Sequence, residues 1–129
     1  MNKSNTASNR SDICHISCFE QDKVSAIKAV LAENAHVIPP LAELYKLLGN
    51  TTRLKILFAL AENELCVCDI AHILELSVAA TSHQLKSLRY QGWLSMRNDG
   101  KMVYYRLENK KLLNALKGDM VMLEEKLSP

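Results

Sequence analysis

The chain has 129 residues, 48% of them hydrophobic, and a formal net charge of +2, which is one domain's worth of sequence with apolar content enough for a core. No apolar run reaches the ~20 residues of a membrane-spanning helix, and the start Met1-Asn2-Lys3-Ser4-Asn5 lacks the apolar stretch of a secretory leader, so a cytoplasmic protein with reduced thiols and no membrane partner is expected. So small a net charge does not by itself imply nucleic acid, but between Ser77 and Lys101 stand Lys86, Arg89, Arg97 and Lys101 against Asp99 alone.

Residues 1–19 are rich in Asn, Ser, Asp and Lys, with too little apolar surface to offset chain entropy, and read as a flexible arm ahead of a domain over 20–129. From Glu20 to Asn34, Val24, Ile27, Val30 and Leu31 recur at helical spacing. Pro39-Pro40 then starts a second helix through Leu41, Leu44, Leu47 and Leu48, which Gly49 is expected to end in the left-handed conformation. Asn50 or Thr51 can cap a third, mostly buried helix carrying Leu54, Ile56, Leu57, Phe58 and Leu60.

A short helix from about Cys66 to Leu74, a tight connection at Glu75-Leu76, and a helix from the N-cap Ser77 to about Tyr90 form a helix-turn-helix pattern. Gly92 closes it. Trp93–Arg97 and Met102–Leu107 are β-prone runs flanking Asn98-Asp99-Gly100-Lys101, and Asp-Gly there signals a hairpin whose primed turn needs positive φ. The fold class is therefore mainly α with a β-hairpin wing, a winged helix-turn-helix. In the last segment Leu112, Leu113, Leu116, Met120, Leu123 and Leu127 share one helical stripe, more apolar surface than a small monomer uses, so a homodimer is expected.

In the second helix of the motif, Leu85 and Leu88 face inward, and short side chains in the first turns let that end enter the major groove of double-stranded DNA. Thr81, Ser82, His83 and Gln84 are candidates for base edges or phosphates, Ser77 lies at the helix mouth, Ala79 suits a thymine methyl, and Lys86 and Arg89 suit the backbone. Arg97 and Lys101 on the wing are placed for phosphate or the minor groove. A solvated helix face would explain each residue singly; the ordered series of helix, turn, helix and hairpin favours DNA.

The run Glu64-Leu65-Cys66-Val67-Cys68-Asp69 puts two thiols at the mouth of the first helix of that motif. Positions i and i+2 diverge by roughly 200° within a regular helix, so the pair can share an ion only at an adaptable helix start. Cys14 and Cys18 in the arm can complete a tetrahedral thiolate set suited to Cd(II), Pb(II) or Zn(II), with His15 as a substitute ligand and Asp69 as a weaker oxygen candidate. The plainer alternative makes Cys66 and Cys68 small buried residues and the arm thiols incidental. Met120 and Met122 are soft enough for Cu(I), yet at helical spacing they read as packing.

Together these residues resemble the ArsR/SmtB family of metal-responsive repressors from about Leu41 to Leu127. The likeness is carried by Asn50-Thr51-Thr52-Arg53-Leu54, Glu64–Asp69, Ser82-His83-Gln84-Leu85 and Gly100-Lys101-Met102-Val103-Tyr104-Tyr105. It implies a homodimeric repressor released from operator DNA by metal. Within the family the arm cysteines with Cys66 and Cys68 are similar to the site of the cadmium, lead and zinc sensing branch, shared between the arm of one subunit and the helix of the other. A second zinc site on the last helix of some relatives falls on Asn109, Lys111, Met122 and Glu125, three of which lack ligand character, so its absence is expected. Val78 and Ala79 stand where relatives often carry polar residues. The rival readings are a thiol redox-sensing repressor and a cytosolic metal buffer or chaperone. No catalytic constellation and no small organic substrate are indicated, since nothing accompanies Cys and His83 as an orienting acid or oxyanion site.

Overall fold

The computed structural model describes residues 20–129, so Cys14, His15 and Cys18 lie outside the described residues. The chain divides into two units, Met1–Glu43 and Leu44–Pro129. In the first, Glu20 opens α1 (Gln21–Glu33) with extended backbone but makes no side-chain cap bond. Helix α1 buries none of its residues, and Ile27, Val30 and Leu31 are each more than half exposed. Helix α2 (Ile38–Leu48) begins at the expected place, with Pro39 and Pro40 in the first turn, where a missing N–H breaks no helical bond.

The second unit holds the fold. Gly49 does not take the left-handed conformation expected of it, because the glycines with positive φ are Gly92 and Gly100. The chain leaves α2 instead by a tighter turn in which the Asn50 N–H donates to the Leu48 carbonyl at 2.7 Å. This frees Asn50 to stand extended and cap α3 (Thr51–Ala59), its side-chain oxygen accepting the Arg53 N–H at 3.0 Å. Ile56 and Leu57 of α3 are fully buried.

Next comes a two-residue strand, β1 (Leu65–Cys66), which runs straight into α4 (Val67–Leu74). Helix α4 stops at Glu75, which adopts φ 57 and ψ 44, a left-handed cap usually given to Gly or Asn. Only Glu75, Leu76 and Ser77 separate α4 from α5 (Val78–Tyr90), and Ser77 caps α5 by accepting the Ala80 N–H at 3.0 Å. Gly92, at φ 86, turns the chain into β2 (Leu94–Asp99). The hairpin closes on Gly100-Lys101 into β3 (Met102–Leu107), with Asp99 opposite Met102. Positive φ is needed at Gly100 (62°) alone, which marks a turn of the II′ kind rather than one centred on Asp99-Gly100.

The sheet order is β1-β3-β2, all antiparallel, with Leu65 opposite Tyr105 and Cys66 opposite Tyr104. Helix α6 (Lys111–Leu127) follows. The core gathers Ile56 and Leu57 of α3, Ile70 of α4, Leu85 and Leu88 of α5, Leu94, Tyr105 and Leu107 of the wing and Leu112, Leu113 and Leu116 of α6. Each fully buried Leu or Ile contributes ~1.5–3 kcal/mol, so the two helices of the motif and the wing are fixed to one another by the same apolar cluster. No described helix is long and apolar enough to cross a membrane.

Candidate metal centre and nucleic-acid interface

The two described cysteines occupy different environments. Cys66 ends β1 and caps α4, is only 4% exposed, and its Sγ accepts the Asp69 N–H at 3.5 Å. Cys68, one residue into the helix, is exposed, as is Asp69. The break from strand to helix between them is what removes the regular-helix geometry that would aim them apart. A helix N-terminus carries unsatisfied N–H groups, and the Cys66 sulfur accepts one of them. Among the described residues no three His, Cys, Asp or Glu side chains gather into a metal-sized cluster.

On α5 the inward residues are Leu85 and Leu88, both fully buried. Ala79, His83 and Lys86 are exposed on the opposite face, and Ser82, Gln84 and Arg89 are partly exposed at its flanks. Thr81 corrects the sequence reading: it is fully buried, and its hydroxyl donates to the Ser77 carbonyl at 2.9 Å. It stands four and seven residues before Leu85 and Leu88, on the same inward face of α5, and a hydroxyl that can bond back into its own helix is satisfied there without water or DNA. Ser77 is exposed, but its hydroxyl is engaged as the cap.

Gln84 is held by a residue the sequence reading passed over. Arg53 of α3 donates Nε to Gln84 Oε1 at 3.0 Å and Nη1 to the Leu47 carbonyl at 3.0 Å. Arginine only donates, so the amide oxygen must face Arg53 and the NH2 group is the part of Gln84 left free. Arg53 shares α3 with a second cation, Lys55, so charge alone did not mark it out. Tyr90 was also passed over: it is 76% exposed, shares the outward face of α5 with His83 and Lys86, and has the Arg89 guanidinium 5.4 Å from its ring centre.

Lys101 is exposed at the hairpin turn. Arg97 is exposed too but engaged: Nε and Nη2 lie 2.8 and 2.7 Å from one oxygen of Glu64, Nη1 is 3.6 Å from Asp99, and the guanidinium lies 4.7 Å over the Tyr104 ring. The hydrogen bond that Arg97 donates to Glu64, with the charges of Glu64 and Asp99 behind it, raises the Arg97 pKa above its ordinary value. Because Cys66 stands opposite Tyr104 and Tyr104 opposite Arg97, one row crosses all three strands from the thiol to the wing cation.

Beyond Leu116, helix α6 turns apolar residues outward, with Met120 44%, Leu123 48% and Met122 60% exposed. Leu116, Met120 and Leu123 line an apolar groove of ≈ 220 Å³ with Leu48, Leu54 and Phe58, and Tyr45 donates to Asp119 at its rim at 3.3 Å.

A family described as "Bacterial regulatory protein, arsR family" matches residues 50–95, from the cap of α3 to the start of the wing. The chain is 44% identical over 118 residues to the cadmium resistance transcriptional regulatory protein CadC of Listeria innocua serovar 6a, covering 91% of this chain and 98% of that protein. It is 40% identical over 100 residues to a CadC homolog of Staphylococcus aureus, covering 77% of this chain and 81% of that protein. Among solved structures, the homodimeric winged helix-turn-helix DNA-binding domain Mb0332 of Mycobacterium bovis, a possible ArsR-family transcriptional regulator, superposes with a TM-score of 0.65. Its identity is 28%, over 74% of this chain and 88% of that one.

Proposed function

The chain belongs to the ArsR family of bacterial regulatory proteins, and we propose that within it the chain is a metal-sensing transcriptional repressor, homodimeric on operator DNA and released when cadmium, zinc or lead binds its cysteines. The observation that carries this reading is the place of Cys66 and Cys68, which open the first helix of the helix-turn-helix. In that role Cys66 and Cys68 hold the ion with Cys14 and Cys18, His15 and Asp69 being the substitute ligands. Thiolates of a soft or borderline ion draw together the segments that bear them. Among the described residues the donor set fits, since one sulfur already accepts a helix N–H and the other is open to solvent.

The reading surface is α5 and the wing. Ala79, Ser82, His83, Lys86 and Arg89 face DNA with the free amide of Gln84, and Arg97 and Lys101 take phosphates. Ser77 serves as the cap that orients this helix, and Thr81 packs beneath it. In the dimer the outward residues of α6 are covered by a second copy, and the two α5 helices meet half-sites about one DNA turn, ~34 Å, apart. Residues 64–68 are continuous with α4, so tightening them around an ion shifts the first helix of the motif without blocking the DNA face. A coupling of ~1–3 kcal/mol weakens operator affinity by roughly 5- to 150-fold.

The test is fluorescence anisotropy of the reduced protein on its own upstream promoter DNA at one stated salt concentration, titrated with Cd(II), Zn(II) and Pb(II). Wild type should bind without metal and be released by at least one of the ions, and Cys66→Ser should bind and not be released. Binding indifferent to all three ions overturns the metal reading, and release by oxidant in its place identifies a thiol redox repressor.

A further inference from the structure

We propose that Glu64 is a positioning residue that occupies the guanidinium fork of Arg97 in competition with DNA phosphate, and so makes the wing answer to the cysteine-bearing segment. The proposal rests on the reading of the chain as a metal-released, DNA-binding repressor. A phosphate recognised by arginine takes two parallel N–H donors of the fork, and here Nε and Nη2 both point at one oxygen of Glu64, at 2.8 and 2.7 Å. Tyr104 supports the guanidinium face at 4.7 Å and Asp99 draws on Nη1 at 3.6 Å, so the side chain is held in the orientation that serves Glu64. A wing arginine in this state offers DNA its Nε/Nη2 edge only by exchanging one anion for another.

The location of the competing anion gives the exchange its meaning. Glu64 directly precedes β1, two residues before Cys66, and β1 is bonded to β3 with Cys66 opposite Tyr104. Tyr104 stands opposite Arg97 in turn. The thiol, the ring and the cation thus share one row of the sheet, and the carboxylate just ahead of β1 closes onto the cation. Whatever fixes residues 64–68 shifts the competition for Arg97, and by reciprocity a phosphate that claims Arg97 loosens the hold of the wing on those residues. The plainer account is an exposed ion pair that merely steadies the hairpin, with an effect near zero on anything else. The two accounts differ in what happens to DNA affinity when the carboxylate is neutralised.

The experiment uses the full chain in chelator, with no metal, on its upstream promoter duplex and on an unrelated duplex, across a salt series. Glu64→Gln should bind both duplexes about two- to five-fold more tightly than wild type, the range an exposed ion pair spans. Its slope of log affinity against log salt should be steeper by about 0.9, one further phosphate neutralised. Arg97→Gln should bind more weakly with a shallower slope, and Glu64→Gln added to Arg97→Gln should change nothing further. Affinity and slope equal to wild type in Glu64→Gln overturn the competition, as does an equal gain in the Arg97→Gln background, which would be the effect of net charge alone. A final arm repeats the cadmium titration: Glu64→Gln should show a smaller fold-release than wild type, with Cys66→Ser as the zero. Equal release overturns the link to the cysteine segment. The metal-free arm fails or succeeds independently of sensing, whereas a wild type that ignores cadmium overturns the sensor reading.

Discussion

Asn50 stands at the point where the chain reverses between two helices, and a single side-chain bond to the Arg53 N–H closes the first turn of α3. That bond also fixes the backbone of Arg53, whose side chain reaches Gln84 on α5 and the end of α2. Asn50→Ala should cost about 1 kcal/mol, within the range of roughly 0.5–2 measured for lost caps, read as a lower urea midpoint at unchanged m. At this scale the sequence was informative wherever a residue acts through its neighbours in the chain. Asn50 and Ser77 announce themselves as caps because the groups they serve lie three residues on. The engagements of Gln84 and Arg97 with Arg53 and Glu64 span 31 and 33 positions, and no local pattern encodes them. Thr81 misleads for a related reason, since a hydroxyl on a helix looks available until its turn of the helix is known to be the buried one.

Among the elements, the helix-turn-helix owes its sharpness to Glu75, a side chain held where glycine is at ease. Replacing it with Gly removes the steric cost of the left-handed conformation but adds chain entropy in the unfolded state. The expected net result is a gain of roughly 0.5–1 kcal/mol in denaturant stability with operator affinity retained, whereas Glu75→Val, β-branched at positive φ, should destabilise the protein. The helices and the hairpin were legible because their apolar residues repeat at the helical or strand period, and because α3 and α5 open on side-chain caps while Gly92 and Gly100 mark the turns into and within the hairpin. Strand β1 was not, because two residues display no period and the pairing of Cys66 with Tyr104 is settled by the wing. The consequence for the candidate site is direct: Cys66 reads as the first residue of a helix, and it is also the last residue of a strand.

For the whole molecule, the outward Met120, Leu123 and Leu127 of α6 are the feature that a monomer leaves unused. Leu123→Glu should leave the stability of the isolated fold within about 0.5 kcal/mol, because the side chain is 48% exposed. The same change should convert a dimer into monomers in sedimentation velocity. Operator binding should then fall on the order of a hundredfold, since two linked reading heads gain that much over one. A monomeric wild type would overturn the dimeric reading at the same step. The order β1-β3-β2 has a consequence of a different kind. Strand β1 covers one side of β3, but among the described residues no strand pairs with the outer side of β2, a template on which a second wing can add. Arg97, Asn98 and Asp99 populate that border with charge and polarity just where the hairpin reaches its tip. Stripping these side chains to map DNA contacts therefore also removes a guard against wing-to-wing aggregation, and loss of binding in such variants needs to be read beside their solubility.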